Sequence, residues 1–263
     1  NASVSPFAPG RDLGVRRLTD GGRRARMDAL RFYAARRKGG NLQMKWELHA
    51  HTAQSSHCGH VDAEDVVAAY AGAGYGGIVI TDHFEPGNLD CFPGGSRDRV
   101  RAWLGGYERA KAAGDRLGVH VLFGLEARLP DCDNDYLIYG ATPEFALENP
   151  ELHRLGLAEL HALCRRWGAL LVQAHPNRKN CHPVDAGLLD GVEVFNGNPR
   201  HDSHNALTLA FAQAHPHLIR TSGSDYHQPQ DLARGGIVAD AESRESLVQC
   251  LREGRFERIE TAD

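Results

Sequence analysis

The stretch "WELHAHTAQSSHCGH" (residues 46–60) contains four histidines, of which the first two stand in a segment that reads as a β-strand, "KWELHAH" (45–51). Successive side chains of a strand point to opposite faces, so His49 and His51 point the same way and can bind one metal ion together. His57 and His60 follow in a segment without a regular pattern. The stretch therefore raises the question of a metal site at the end of a strand.

From residue 45 onward, short apolar segments alternate with helical patterns. Strands are predicted at 45–51, 76–83, 119–129, 136–142, 168–175, 191–197 and 217–225, with a weaker candidate at 235–239. Helices are predicted at 62–74, with Asp62 as the N-cap, and near 98–117, 150–167, 202–214 and 241–253. This α/β alternation is typical of parallel β-α units, which form either a closed barrel or an open doubly wound sheet.

Potential metal ligands recur where the predicted strands end. In chain order they are His49, His51, Asp82, His83, Glu126, His175, His201, Asp225 and His227. In a barrel of parallel strands, the carboxyl ends of the strands converge on one rim, and active sites are built there. We interpret the remaining histidines after the first strand as surface, capping or packing residues. His57 is the exception, because it belongs to the first of the motifs described next.

In these motifs the chain resembles the PHP family, which is named for its polymerase and histidinol-phosphatase members. The resemblance covers the chain from about Met44 onward. The motifs in order are "HAHT" (49–52) with His57 six residues after His51, "TDH" (81–83), "GLEARL" (124–129), "AHP" (174–176), "EVFNGNPRH" (193–201) and "GSDYH" (223–227). Each motif alone is a weak signal, whereas six in order are specific.

The resemblance implies a distorted (β/α)7 TIM-like barrel that holds two or three divalent metal ions. Carried over motif by motif, it implies one ion bound by His49, His51, Glu126 and Asp225, a second bound by Glu126, His175 and His201, and a third bound by His57, His83 and His227. Asp82 would orient a ligand from outside the coordination sphere. Imidazoles and carboxylates together suit Zn²⁺, Mn²⁺ or Fe and suit Ca²⁺ poorly.

These ligands predict a metal-dependent phosphoesterase. Two ions ~3.5–4 Å apart can activate a hydroxide for attack on phosphorus and stabilise the leaving oxygen, so no protein nucleophile is assigned. Arginine binds phosphate oxygens in two-point contacts, and Arg178 and Arg200 are predicted to bind the substrate, with Arg128 a weaker candidate. The expected substrate is a small phosphorylated metabolite resembling histidinol phosphate or a nucleotide.

Two other functions stay open. An amidohydrolase-type barrel, which hydrolyses C–N or C–O bonds, also begins with H-x-H, but it usually bridges its metals with a carbamylated lysine, which Glu126 and the terminal D-x-H disfavour. A non-catalytic PHP module is the other alternative. Such modules often lose ligands and accompany a polymerase, whereas this chain keeps its ligands.

Charge restricts the partners that we expect. Residues 1–40 carry ten basic and three acidic side chains, a net charge of +7, and the remainder carries 20 basic and 31 acidic side chains, a net charge of −11. An acidic body disfavours binding to a nucleic-acid polymer, although a nuclease acting on short or single nucleotides stays open. We expect residues 1–43 to form a basic, flexible N-terminal extension with one short helix at 27–38, and residues 44–263 to form the PHP-type domain.

Composition also bears on location. No run of eighteen apolar residues occurs, and the N-terminus has no secretory signal pattern, so neither a membrane span nor secretion is expected. The six cysteines form no C-x-x-C pair and are expected to be reduced thiols. We therefore expect a cytoplasmic protein, and the sequence leaves the oligomeric state open.

Overall fold

The computed structural model describes residues 43–130 and 133–261, so the predicted basic extension and its helix lie outside the described residues except for Gln43. The strands are β1 (Met44–Ala50), β2 (Gly77–Ile80), β3 (His83–Phe84), β4 (His120–Arg128), β5 (Asp135–Tyr139), β6 (Leu170–Gln173), β7 (Gly191–Asn196), β8 (Ile219–Gly223), β9 (Gly235–Ala239) and β10 (Phe256–Glu260). The α-helices are α1 (Ala63–Gly72), α2 (Pro86–Leu89), α3 (Ser96–Trp103), α4 (Gly105–Leu117), α5 (Pro143–Glu148), α6 (Leu157–Arg166), α7 (Asn205–Ala214) and α8 (Arg244–Arg252).

Three helix predictions differ from the structure in detail. The helix expected near 150–167 begins only at Leu157, after a 3-10 helix at Leu152–Arg154. The helix expected near 98–117 is divided into α3 and α4, where the weak helix formers Gly105 and Gly106 begin the second helix. A Cβ at Gly106 would lie 2.3 Å from Thr52 Oγ1, so the glycine lets α4 approach the turn after β1. Asp62 does occupy the N-cap position of α1, but its side chain makes no cap hydrogen bond and accepts one from Gln54 Nε2 at 2.7 Å.

The strands form one strongly curved sheet in the order β10-β9-β1-β2-β4-β5-β6-β7-β8, and β3 pairs with β4. Parallel pairs join β1 to β2, β2 to β4, β6 to β7 and β7 to β8. The end of β1 also meets the residues after β8. The N–H of His51 donates to Tyr226 O at 2.9 Å, and the N–H of Tyr226 donates to His49 O at 3.0 Å. These bonds nearly close the sheet, and the predicted distorted α/β barrel is confirmed.

The prediction that the β-α units are parallel is wrong at β9, which pairs antiparallel with β1, and at β5. This strand pairs antiparallel with both β4 and β6, because only residues 129–134 separate it from β4. A parallel connection needs a crossover of about a dozen residues or more. As a result, the first residue of β5, Asp135, pairs with Arg128 at the C-terminal end of β4. The strand β10, which the sequence pattern did not predict, pairs antiparallel with β9.

Apolar side chains of the helices pack against the outside of this sheet. One buried cluster contains Val66 and Tyr70 of α1, Ala110 of α4 and Ile78 of β2. A larger cluster contains aromatic and aliphatic residues of α3, α5, α6 and strands β4 to β7, with Trp103 fully buried. Among the described residues, no helix combines the length and the apolar character needed to cross a bilayer.

Candidate metal centre

Strand ends bring the predicted ligands together at one rim of the barrel. His49 lies in β1, and His83 of β3 pairs with Glu126 of β4. His175 and Asp225 each follow a parallel strand by two residues. Both have left-handed backbone conformations, with φ angles of 27° and 52°. Such conformations cost about 1–3 kcal/mol in residues other than glycine and cluster at functional sites, so the fold holds these two side chains in the rim at an energetic cost.

Glu126 lies at the centre of this group. Its Oε1 atom is 3.3 Å from His49 Nε2 and 3.2 Å from His175 Nε2. Its Oε2 atom is 3.3 Å from His51 Nε2 and 3.1 Å from His83 Nδ1. The carboxylate is buried, so four imidazoles from three different segments of the chain surround one acid that is shielded from solvent. The bridging of two ions by Glu126 stays a prediction.

Asp225 joins the same group from the opposite side. Its Oδ1 atom is 3.4 Å from the Nε2 atoms of both His49 and His51, and 3.5 Å from His227 Nδ1. Its Oδ2 atom accepts a hydrogen bond from Arg178 Nη2 at 2.7 Å. One oxygen of the carboxylate is therefore held by a cation, while the other faces the histidines.

The unpaired atoms of the site test whether a metal fits. The Nε2 atoms of His49 and His51, Nδ1 of His83 and both oxygens of Glu126 are buried and have no hydrogen-bond partner among the described residues. Leaving such atoms unsatisfied costs about 1–3 kcal/mol each. These nitrogen and oxygen atoms lie 3.1–3.3 Å apart, close enough to bind the same cation. Imidazole nitrogens and carboxylate oxygens are ligands for Zn²⁺, Mn²⁺ and Fe. The residues therefore fit divalent metal ions.

The carboxylates of the site favour the binding of cations. Burial acts to lower the pKa of His49, but the carboxylates of Asp225 and Glu126 outweigh burial and raise this pKa well above its usual value. Burial acts to raise the pKa of Glu126, but His49 and His83 outweigh it and hold this pKa well below its usual value. The acids thus attract positive charge into a buried site, either as protons or as metal cations, and metal binding releases the protons.

A second group of candidate ligands lies beside the first. His51, Cys58, His83 and His227 offer ligand atoms that all lie within 4.8 Å of one another. The rings of His83 and His227 each stack against the ring of His51, with centroids 4.5 Å apart. Burial acts to raise the pKa of the Cys58 thiol, but hydrogen bonds and charge from His227 and His83 outweigh it and lower this pKa. The group therefore contains a thiol that the sequence motifs did not select.

His57, which was predicted to bind the third ion, lies outside this group. Its side chain is exposed, and its Nε2 atom is 2.9 Å from Cys91 Sγ. Its backbone N–H donates to Asn88 Oδ1 at 2.7 Å. The structure thus brings Cys58 into the place where His57 was expected.

His201, which was predicted to bind the second ion, is exposed and belongs to none of the ligand groups among the described residues. Burial and the charge of Arg178 lower the pKa of its imidazole. His175, from the same predicted set, does group with His49 and Asp225. The second set is therefore partly assembled, with His201 outside it.

No protein-family model matches this sequence, and no curated protein matches it. Solved structures do match the fold. A two-domain protein from Bacteroides vulgatus, described as containing a predicted PHP-like metal-dependent phosphoesterase, aligns with a TM-score of 0.64 at 16% identity, over 84% of this chain and 66% of that one. The chain has a PHP-like fold.

Two further structures share this PHP-like fold. PsfC from Pseudomonas syringae aligns with a TM-score of 0.63 at 15% identity, over 84% of this chain and 92% of that one. The lesion-specific endonuclease PfuEndoQ from Pyrococcus furiosus aligns with a TM-score of 0.55 at 15% identity, over 82% of this chain and 57% of that one. This chain therefore spans under two thirds of the length of the Bacteroides and Pyrococcus proteins. At these identities the similarity concerns the fold.

The two arginines predicted to bind substrate both form hydrogen bonds with side chains of this chain. Besides Asp225, the Nη2 atom of Arg178 donates to Asn196 Oδ1 at 2.9 Å and to Ser203 Oγ at 3.2 Å. Arg200 pairs with the buried Asp231 through Nε at 3.3 Å and Nη2 at 3.0 Å. Their role in substrate binding stays a prediction. Their contacts also fix the carboxylates of Asp225 and Asp231 at the rim.

The weaker candidate, Arg128, pairs with a carboxylate that the sequence reading missed. Its Nε and Nη2 atoms donate to Asp135 at 2.8 and 2.7 Å. Asp135 groups with His83 and Glu126 as a further potential ligand. Asp135 precedes the strand predicted at 136–142. The sequence analysis considered residues at the carboxyl ends of strands, so it did not include a residue at the start of one.

Glu193 is a further residue to which the sequence motifs gave no role, although it begins the motif at 193–201. It is buried, and its Oε1 atom is 2.9 Å from His49 Nδ1. A carboxylate on the second nitrogen of a metal-binding histidine fixes the tautomer and the ring orientation. Asp82, predicted to orient a ligand from outside the coordination sphere, accepts a hydrogen bond from Ser56 Oγ at 2.7 Å, and Ser56 Oγ lies 3.4 Å from His51 Nδ1, so its contact with a predicted ligand is indirect.

Proposed function

We propose that this chain is a metal-dependent phosphoesterase that hydrolyses a phosphate ester of a small metabolite such as histidinol phosphate or a nucleotide. One observation carries the proposal: a buried carboxylate, Glu126, lies within 3.1–3.3 Å of four imidazole nitrogens from three segments at the carboxyl rim of the barrel. Active sites of such barrels lie at this rim.

The proposed ligands divide into two overlapping groups. His49, His51, Glu126 and Asp225 would hold one ion, and Glu126 with His175 would hold another, with His201 or Asp135 as the candidate that completes it. A third ion would lie among the imidazoles of His83 and His227. When bound, the ions would supply Lewis acidity at a phosphoryl group and lower the pKa of water near it.

The chain's own residues would prepare this site. Glu193 would keep the proton of His49 on Nδ1, so that Nε2 faces the ions. Arg178 would hold one oxygen of Asp225 and leave the other for a metal. Arg178 is also the candidate for substrate contact, because its guanidinium is partly exposed beside the rim.

The lysines support the phosphoesterase over an amidohydrolase. The described residues contain Lys45, Lys111 and Lys179. Lys45 lies over the ring of Tyr75, Lys111 pairs with Asp115, and Lys179 is exposed. A carbamylated lysine that bridges two metals would have to lie where Glu126 lies.

An endonuclease is the second candidate, because the fold is shared with PfuEndoQ and with Endonuclease Q bound to a duplex that carries an abasic lesion, the latter at a TM-score of 0.52. The net charge of −11 outside residues 1–40 counts against a long polymer as substrate. The two candidates predict different products from the same centre.

A substrate panel tests both. Phosphate release from histidinol phosphate and nucleotides, and cleavage of short oligonucleotides, would be measured before chelation, after chelation, and after addition of Mn²⁺ or Zn²⁺. We expect monoester turnover to disappear with chelator and return with metal, and to be lost in Glu126→Gln. The exposed Glu108→Gln is the matched control. Robust turnover by the metal-stripped protein would refute the proposal.

A further inference from the structure

In the turn after β1, Cys58 directly follows His57, the residue that the PHP resemblance assigns to the third metal ion. We propose that Cys58, and not His57, completes the third metal position of this chain with His83 and His227. The inference rests on the proposed function, because it concerns the metal centre of that site. It differs from the motif-based set in the identity of one ligand and therefore in the kind of ion that the position selects.

The placement of the side chains carries the inference. The Cys58 thiol belongs to the group in which every ligand atom lies within 4.8 Å of the others, along with His51, His83 and His227. Cys58 is partly buried, whereas His57 is exposed and directed at Cys91. Three of the four members of the group are histidines that the resemblance already assigns to metals.

Backbone contacts on both sides of Cys58 hold this arrangement. Before it, the N–H of His57 donates to Asn88 Oδ1 at 2.7 Å. After it, the N–H of His60 donates to His227 O at 2.8 Å. Between them, Gly59 has no room for a side chain, since a Cβ there would lie 2.6 Å from a backbone oxygen of the same turn. Bringing the His57 ring into the place of Cys58 would require the backbone of this turn to shift, which would disturb both the bond from the His57 N–H to Asn88 and the close packing at Gly59.

A thiolate changes the metal preference of the position. Soft sulfur ligands favour Zn²⁺, Fe²⁺ and Co²⁺, whereas carboxylate-rich sites also accept Mn²⁺ and Mg²⁺. The position with Cys58 is therefore expected to take the more thiophilic ion, while the positions around Glu126 and Asp225 accept either kind. A protein loaded from a mixture of Zn²⁺ and Mn²⁺ should hold both.

Cobalt binding tests the ligand directly. Metal-free protein would be titrated with Co²⁺, and thiolate ligation would give a charge-transfer band in the near ultraviolet. We expect the band in the wild type and in His57→Ala, and its loss in Cys58→Ser. Cys91→Ser is the matched control and should keep it, because Cys91 contacts the exposed His57 and belongs to none of the ligand groups among the described residues. Circular dichroism would establish that each variant is folded.

A second measurement needs no variant. Native wild-type protein would be alkylated with and without Zn²⁺, and the labelled cysteines would be located by peptide mapping. We expect Zn²⁺ to protect Cys58 and to leave the exposed Cys91 reactive.

The outcomes separate this inference from the proposed function. If the band survives Cys58→Ser, or if Zn²⁺ leaves the labelling of Cys58 unchanged, the inference is overturned while metal-dependent hydrolysis stands. If the wild type binds no divalent ion, both fail.

Discussion

Replacing Glu193 by glutamine removes a negative charge beside His49 and preserves the size of the side chain. The Oε1 atom of Glu193 is 2.9 Å from His49 Nδ1, and both side chains are buried. The carboxylate favours the tautomer in which Nδ1 carries the proton and Nε2 is free to bind a metal. Glutamine presents either an amide oxygen or an amide N–H at this position, and it does not stabilise that tautomer to the same extent.

The expected loss follows from these contacts. Removing such an outer partner of a metal-binding histidine typically lowers metal affinity or activity about 10- to 100-fold, which is about 1.4–2.8 kcal/mol. Glutamine has a single oxygen, which can accept either from His49 Nδ1 or from the N–H of His175, now 3.2 Å from Oε2, so we expect the loss in Glu193→Gln to lie within this range. Glu193→Ala removes every contact and should lie near the upper limit.

The assay is a competitive titration of Zn²⁺ against a chromogenic chelator, followed by turnover measured as a function of free metal. We expect both variants to need more metal and to recover activity when metal saturates the site. Glu144→Gln, at an exposed position of α5, is the control. If Glu193→Ala folds normally and binds Zn²⁺ as tightly as the wild type, the assignment of Glu193 is refuted.

Three further predictions concern stability. Metal at 100 times its dissociation constant should stabilise the protein by about 2.7 kcal/mol, which raises Tm by roughly 5–10 °C for a chain of this size; a calorimetric scan with no shift after chelation would contradict metal binding. Gly223→Ala would place a Cβ 2.5 Å from His49 Cβ and 2.6 Å from Glu193 Oε1, so urea unfolding should show a loss of about 1–3 kcal/mol, and an unchanged midpoint would contradict this packing. Arg178→Ala leaves the carboxylate of Asp225 without its cation, and the metal-free protein should lose about 3–5 kcal/mol, with a smaller loss when metal is bound. If KM and kcat are also unchanged in this variant, the role of Arg178 in substrate binding is withdrawn.

Local sequence patterns determined much of the fold and of the centre. The two-residue period of a strand placed His49 and His51 on one side of β1, where both approach Glu126. The alternation of strands and helices left a closed barrel and an open sheet as alternatives, and the PHP resemblance favoured the barrel. The rule that sites lie at carboxyl ends of strands selected His175 and Asp225. These features depend on residues close together in the chain, and for that reason the sequence was sufficient to predict them.

Contacts between distant segments decided the rest. The antiparallel direction of β5 brought Asp135, the first residue of its strand, to the rim. The hydrogen bond from the His57 N–H to Asn88 and the packing of the turn after β1 turned Cys58 inward and His57 outward. Asp231 engaged Arg200 from another loop. An irregular turn has no period, and the partner of a charge is chosen by three-dimensional proximity, so only the tertiary structure could settle which of these side chains face the metal centre.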